Sequence, residues 1–131
     1  MKESLNPEGL AKPFGPFCQL TVARPGRVVH LSGAVAFDAA GNVVGEGDIV
    51  AQTRQVMENL RIALAAAGAD FSHVVKITNY VTDAGEYPKI APVRQEYLNE
   101  PFPASTLVEV KSLIYPELLI EIEAVAIVPD D

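Results

Sequence analysis

The sequence predicts an α/β protein, a two-layer sandwich of one mixed β-sheet with two helices on one face. Two observations predict it. β-branched runs with partial period-two alternation flank two stretches of helical periodicity. The elements follow one another as β-β-α-β-α-β-β, and helices interleaved with strands pack as a layer against one sheet. A chain of 131 residues reads as one domain, 1–131, large enough to bury a core. Its 49% hydrophobic and 21% charged residues are close to globular averages, which excludes disorder.

Residues 17–24 read as a half-alternating strand, and Pro25-Gly26 marks a turn. Residues 27–37 form a second β-rich run, interrupted at Gly33, where a bulge or a close backbone approach is expected. Asp48 is a suitable N-cap for a helix over 48–67, with Gly68 as its C′ residue. Its apolar stripe is Ile49, Thr53, Val56, Leu60, Ala63 and Ala67, thickened by Met57 and Leu64. Gln52, Arg54, Gln55, Glu58 and Arg61 are expected on the wetter side.

Residues 73–82 are β-branched and read as a strand. A second helix is expected over 86–98, with Pro88 in its first turn and Pro92 deeper, where it would kink the helix. Its inward stripe is Tyr87, Ile90, Ala91, Arg94, Tyr97 and Leu98, so one arginine interrupts an apolar face. After Pro101-Phe102-Pro103, residues 104–112 and 118–128 complete the set of strands. The last strand puts Glu121 and Glu123 on one face, and Ile120, Ile122 and Ala124 on the other. Helices cover one sheet face only. Val22, Val29, Leu31, Val75, Ile77 and Val108 are then too apolar for a wet second face, which predicts self-association.

Ten basic against seventeen acidic residues give a net charge of −7, a poor match to phosphate backbones, so no nucleic-acid partner is expected. No run approaches the roughly 20 apolar residues of a membrane span, and no leader is visible. The expectation is a soluble, non-exported, cytoplasmic chain with no membrane partner. One cysteine, Cys18, excludes an internal disulfide, and two separated histidines, His30 and His73, give no metal site. Phosphate-binding glycine loops and nucleophile elbows are absent.

Few residues remain that carry chemistry. Ser32-Gly33 offers a backbone donor site or a plain bulge. Cys18 reads as buried packing, since no helix N-terminus or cation lies beside it in sequence. His30 reads as an interior or interface histidine. Glu121 and Glu123, inside an apolar strand, read as a general base or as half of an intersubunit ion pair. Arg94 pairs a strand glutamate such as Glu121, an acid such as Glu109 or a neighbouring subunit, or else holds a ligand carboxylate.

The chain resembles the Rid family, also called the YjgF-type family and formerly labelled L-PSP endoribonuclease. The resemblance runs from about Asn6 to Val128. It rests on Phe14-Gly15-Pro16-Phe17, Val29-His30-Leu31-Ser32-Gly33, Ala51-Gln52-Thr53-Arg54 through Asn59-Leu60, Ala67-Gly68 with Val74-Val75-Lys76, Phe102-Pro103-Ala104, and Ile120-Glu121-Ile122-Glu123-Ala124. It implies a chorismate mutase-like sandwich in a homotrimer, with a central barrel and small-molecule clefts between subunits. It also implies hydrolysis of 2-imino acids and their enamine tautomers to 2-keto acids and ammonia, with no metal and no organic cofactor.

Carried over by residue, the resemblance makes Glu121 and Ser32 catalytic, with Gly33 following the serine. Phe17, Gly33, Arg94, Ser105, Thr106 and Leu107 are substrate-binding candidates. This chain departs from the family pattern in several places. Ser105 stands where the family arginine grips the substrate carboxylate, and Phe17 stands where active members carry tyrosine. Leu107 replaces a small residue or cysteine, and Ala91 a common asparagine. Arg94 lies one turn beyond Ala91 on the same helix face and is placed to replace the missing cation. Two readings follow: an imine or enamine deaminase with a non-standard site, or a trimer that binds a metabolite or partner without turnover. The kept Ser32-Gly33 and Glu121 favour the enzyme. The ribonuclease label is disfavoured by the acidic charge and the lack of a histidine pair.

Overall fold

Period-two burial along the last strand sets the layers of this computed structural model, which describes residues 2–130. Strands β1 (Lys2–Leu5), β2 (Leu20–Ala23) and β3 (Gly26–Ala34) precede helix α1 (Ile49–Ala66). Strand β4 (Val74–Val81), helix α2 (Tyr87–Gln95) and strands β5 (Ala104–Glu109) and β6 (Ile120–Pro129) follow. Four strands form the main sheet in the order β3-β6-β4-β5. The β4–β5 pair is parallel and the other pairs are antiparallel, so the sheet is mixed as expected.

On β6, Ile120, Ile122, Ala124, Ala126 and Val128 are buried, while Glu121, Glu123, Val125 and Ile127 alternate on the open face. Helix α1 meets the buried face with Ile49, Val56, Met57, Leu60 and Leu64. Burial of each such side chain contributes roughly 1.5–3 kcal/mol. Asp48 caps the helix by accepting from Ala51 N–H at 3.0 Å. Gly68 ends it at φ +72°, donating to Ala65 O at 3.0 Å. Among the described residues no helix is long and apolar enough to cross a membrane.

Several expectations are corrected. Of residues 17–24, only Leu20–Ala23 is a strand, and it pairs with β1 in a separate two-stranded sheet. The sequence reading missed β1 because Lys2–Leu5 has a single apolar residue. Cys18 makes only an isolated bridge to Ala104. The run over 27–37 ends at Ala34 after a register shift between Leu31 and Ala34, which places the expected bulge at Ser32-Gly33. The next strand, read as 104–112, stops at Glu109.

Gln52 is fully buried, not on a wet side. Its amide donates to Gly45 O at 3.1 Å and Glu117 O at 2.8 Å, and accepts from Leu119 N–H at 2.8 Å, so every bond joins α1 to a loop. Ala63 is exposed. Helix α2 ends at Gln95, and turn bonds such as Leu98 N–H to Arg94 O at 3.0 Å carry the chain onward. Val93 joins its buried face, which the predicted stripe omitted.

The second sheet face is not uniformly apolar, contrary to expectation. Leu31 and Ile77 belong to the core, and Val29 packs against it. Val22 is exposed on the small sheet, and Val75 sits at a register shift. Of the six, Val108 remains as an exposed residue of the open face. That face is mixed. Val28, Val125 and Ile127 lie near one end, with Lys76, Thr78, Tyr80, Glu121 and Glu123 across the middle.

Candidate functional site

Parallel pairing of β4 and β5 brings Ser105 opposite Ile77 and Leu107 opposite Asn79, on the side of the sheet that faces α2. Asn79 occupies a buried phase of β4, and its Nδ2 donates to Ser105 Oγ at 3.1 Å and to Thr106 O at 2.8 Å. From α2, Arg94 Nη2 donates to the same Ser105 Oγ at 3.4 Å. A serine hydroxyl has one hydrogen and two accepting lone pairs. Both lone pairs are engaged here, so the Ser105 O–H is left to donate to something else.

Arg94 is only 1% exposed, yet it makes no ion pair among the described residues. Glu109, one of the acids expected to pair with it, instead accepts from Ala84 N–H at 2.9 Å. Burial pushes the guanidinium pKa below its usual value, and Tyr87 opposes this. Removing one partner from a buried ion pair costs about 3–5 kcal/mol in other proteins, because an uncompensated charge remains. Arg94 is in that uncompensated state. Arg94 Nε, Tyr87 OH and Asn79 Oδ1 are buried without a hydrogen-bond partner. All three belong to the Ser105 surroundings, and buried polar atoms are otherwise almost always paired.

These groups edge a cavity of about 310 Å³ lined by Phe14, Phe17, Tyr87, Arg94, Ser105 and Leu107. Phe14 packs edge-on against Phe17 at 5.1 Å and Tyr87 at 5.7 Å between ring centroids. Gly15 lets the backbone close over Tyr87, since a Cβ there would overlap the phenol oxygen. An apolar wall therefore stands over a cationic floor.

Gly33 and Glu121 meet elsewhere. They line a second cavity of about 430 Å³ with Tyr80, Glu123 and the 110–114 segment. A Cβ on Gly33 would overlap the Glu121 carboxylate, so glycine permits this approach of backbone to acid. Tyr80 donates its phenol hydrogen to Glu123, and this bond raises the Tyr80 pKa first, ahead of desolvation. The two cavities share no lining residue, and Glu121 and Ser105 lie on opposite faces of the sheet.

Of the remaining site residues, Ser32 is exposed on β3 beside Gly33. Thr106 Oγ1 accepts from Lys76 Nζ at 2.7 Å and lines neither cavity. Cys18 is 3% exposed, its thiol donating to Leu20 O and Phe102 O, both at 3.2 Å. His30 is exposed on β3. A recess of about 700 Å³ lies between the start of α1 and the turn before α2, where Lys89 pairs with Glu86 at 3.4 Å. Among the described residues no three His, Cys, Asp or Glu side chains gather as metal ligands. The sequence reading missed Asn79 and Tyr87. An asparagine inside the β-branched 73–82 run was the available signal.

The family model for endoribonuclease L-PSP matches residues 9–128. A RutC family protein of Pyrococcus horikoshii is 40% identical over 126 residues, 96% of this chain and 98% of that protein. A 3-aminoacrylate deaminase of Acinetobacter baylyi is 38% identical over 125 residues, 95% of this chain and 97% of that protein. The crystal structure of a Rid-family protein from Yersinia pestis superposes with a TM-score of 0.89 at 37% identity, covering 97% of this chain and 98% of that one.

Proposed function

Because the chain belongs to the endoribonuclease L-PSP family, also called the Rid family, we propose that it hydrolyses the imine or enamine of a small carboxylic acid. The observation that carries this reading is Arg94, a buried guanidinium at the floor of a cavity with no acidic partner among the described residues. The related 3-aminoacrylate deaminase supports the reaction class. In this reading Arg94 replaces the cation absent at Ser105, and the Ser105 hydroxyl donates to the second carboxylate oxygen. A charged hydrogen bond contributes about 1.5–3 kcal/mol, which a neutral hydroxyl alone does not match.

The chemistry needs one water and one base. An enamine first takes a proton at C3 to become the imine, which is protonated on nitrogen. Water attacks C2, forming the C–O bond, and Glu121 accepts a water proton. That proton passes to nitrogen; as the C–N bond breaks, Glu121 takes the remaining hydroxyl proton, the C=O bond forms and ammonia leaves a 2-keto acid, the proton on Glu121 then going to solvent. Ser32 and the backbone at Gly33 hold the water against Glu121.

Since Glu121 and Arg94 lie on opposite faces of one subunit, a complete cleft takes groups from two subunits. A homotrimer with clefts at its subunit boundaries meets that need, and it also covers Val28, Val108, Val125 and Ile127. A second reading is favoured by Ser105 and Phe17 standing in place of arginine and tyrosine: the same cleft binds a carboxylate metabolite without turning it over.

One assay separates the two readings. An amino-acid oxidase generates 2-imino acids in situ, and their decay is followed with the wild type and with Glu121→Gln. Decay faster than buffer alone, lost in Glu121→Gln, supports the enzyme. Binding of 2-keto acids with no acceleration of decay supports the non-catalytic trimer.

A further inference from the structure

We infer that the Arg94 cavity selects carboxylates that carry an aromatic or branched apolar body, and disfavours the smallest imino and keto acids. The inference deepens the deaminase reading. It rests on that reading for turnover, although binding alone also tests it.

The polar and apolar groups of the cavity are segregated by depth. Arg94 is 1% exposed and Phe14 81% exposed, so the cation sits at the floor and the aromatic rings at the mouth. The two polar side chains that line the floor, Arg94 and Ser105, face the cavity as donors. Arg94 has N–H groups beyond the one given to Ser105, and the Ser105 hydrogen is forced outward because both of its lone pairs are engaged. One positive charge and a hydroxyl donor match the single charge and two oxygens of a carboxylate. A doubly charged phosphate would leave one charge unmatched in a buried site.

Size decides the rest. An apolar cavity of about 150 Å³ accommodates a benzene ring in other proteins. The present cavity is about 310 Å³, room for such a ring and a carboxylate-bearing head. An alanine-derived imine would fill the floor and leave Phe14, Phe17, Tyr87 and Leu107 facing water. A phenyl or isobutyl group would cover them. It would also bury Phe14, a large apolar side chain otherwise left at the surface.

Two lining residues carry the selectivity. Phe17 brings a ring without a hydroxyl to the wall, and Leu107 adds an apolar branch to the lining. Both turn the cavity away from small polar substrates.

The test uses calorimetric titration of the wild-type protein with pyruvate, 4-methyl-2-oxopentanoate and phenylpyruvate as product-like probes. The two larger acids are expected to bind at least tenfold more tightly than pyruvate. Phe14→Ala, at an exposed position, is expected to reduce that ratio to below threefold. Equal affinities, tighter binding of pyruvate, or no binding of any acid would overturn the inference. Imine decay, measured in parallel with alanine, leucine and phenylalanine as oxidase substrates, keeps the two proposals apart. Hydrolysis at equal kcat/KM for all three overturns the selectivity and leaves the deaminase. Selective acid binding without hydrolysis upholds the selectivity and overturns the deaminase.

Discussion

Arg94 reaches Ser105 Oγ at 3.4 Å from a buried position, and no carboxylate pairs with it among the described residues. Such an arrangement is costly to the folded chain and suited to an incoming anion. The first prediction follows from the cost. Arg94→Met keeps most of the side-chain volume and removes the uncompensated charge. Replacing a whole buried ion pair by apolar residues is often neutral or stabilising by about 1–4 kcal/mol, and Arg94 has no pair's attraction to lose among the described residues. Thermal unfolding of Arg94→Met should therefore give a Tm equal to or above wild type. A fall of more than about 5 °C, well over 1 kcal/mol for a chain of this size, would show that Arg94 is structural.

Moving the cation tests the site more specifically. Ser105→Arg alone crowds two guanidinium groups onto one floor, so carboxylate binding should weaken. Arg94→Met/Ser105→Arg places a single cation at the β5 position. Its affinity for a 2-keto acid should return to within about tenfold of wild type. That pattern makes the double variant better than either single one, as expected for side chains in contact. Additive losses in the double-mutant cycle would contradict it.

Gln52 gives a prediction about stability alone. Its amide satisfies Gly45 O, Glu117 O and Leu119 N–H inside the core. Gln52→Leu leaves Glu117 O and Leu119 N–H unpaired, while Gly45 O keeps the Asp48 N–H at 2.9 Å. An unsatisfied buried group costs about 1–3 kcal/mol, and partial access to water lowers the sum, so a loss of about 3 kcal/mol is expected. Urea unfolding measures it, and a loss below about 1 kcal/mol would refute this role.

The Tyr80–Glu123 bond predicts a change at high pH. The bond raises the Tyr80 pKa above its ordinary value of 10.0, so the folded state holds this proton more tightly than the unfolded chain. Its stabilisation is fully present below pH 10 and is lost as pH rises through the folded value. The urea midpoint should fall as pH rises above about 10, and Tyr80→Phe should reduce the fall. An identical fall in both proteins would exclude Tyr80 as its source.

The main elements were legible in the sequence because periodicity and capping agree locally. Asp48 and Gly68 bound α1, and apolar–acidic alternation over 120–124 fixes the two faces of β6. The β1–β2 sheet was not legible, because Lys2–Leu5 acquires strand geometry only by pairing with residues 20–23. The burial of Gln52 was hidden for a related reason: its partners lie in loops that only the tertiary fold brings together. At the site, the arginine on the apolar stripe of α2 was visible, but its lack of an acidic partner among the described residues was not. Pairing depends on where Glu109 points, and no spacing rule encodes that. Asn79 was concealed in the same way, since its phase in the strand becomes a buried phase only once α2 covers it.

The most direct measurement compares phenylpyruvate binding to the wild type and to Arg94→Met by calorimetric titration. If Arg94 is the carboxylate-binding cation, affinity falls at least tenfold in Arg94→Met, in line with about 1.5–3 kcal/mol for a charged hydrogen bond. Unchanged affinity in a folded Arg94→Met protein would contradict the account, because the guanidinium would then be buried for some other reason.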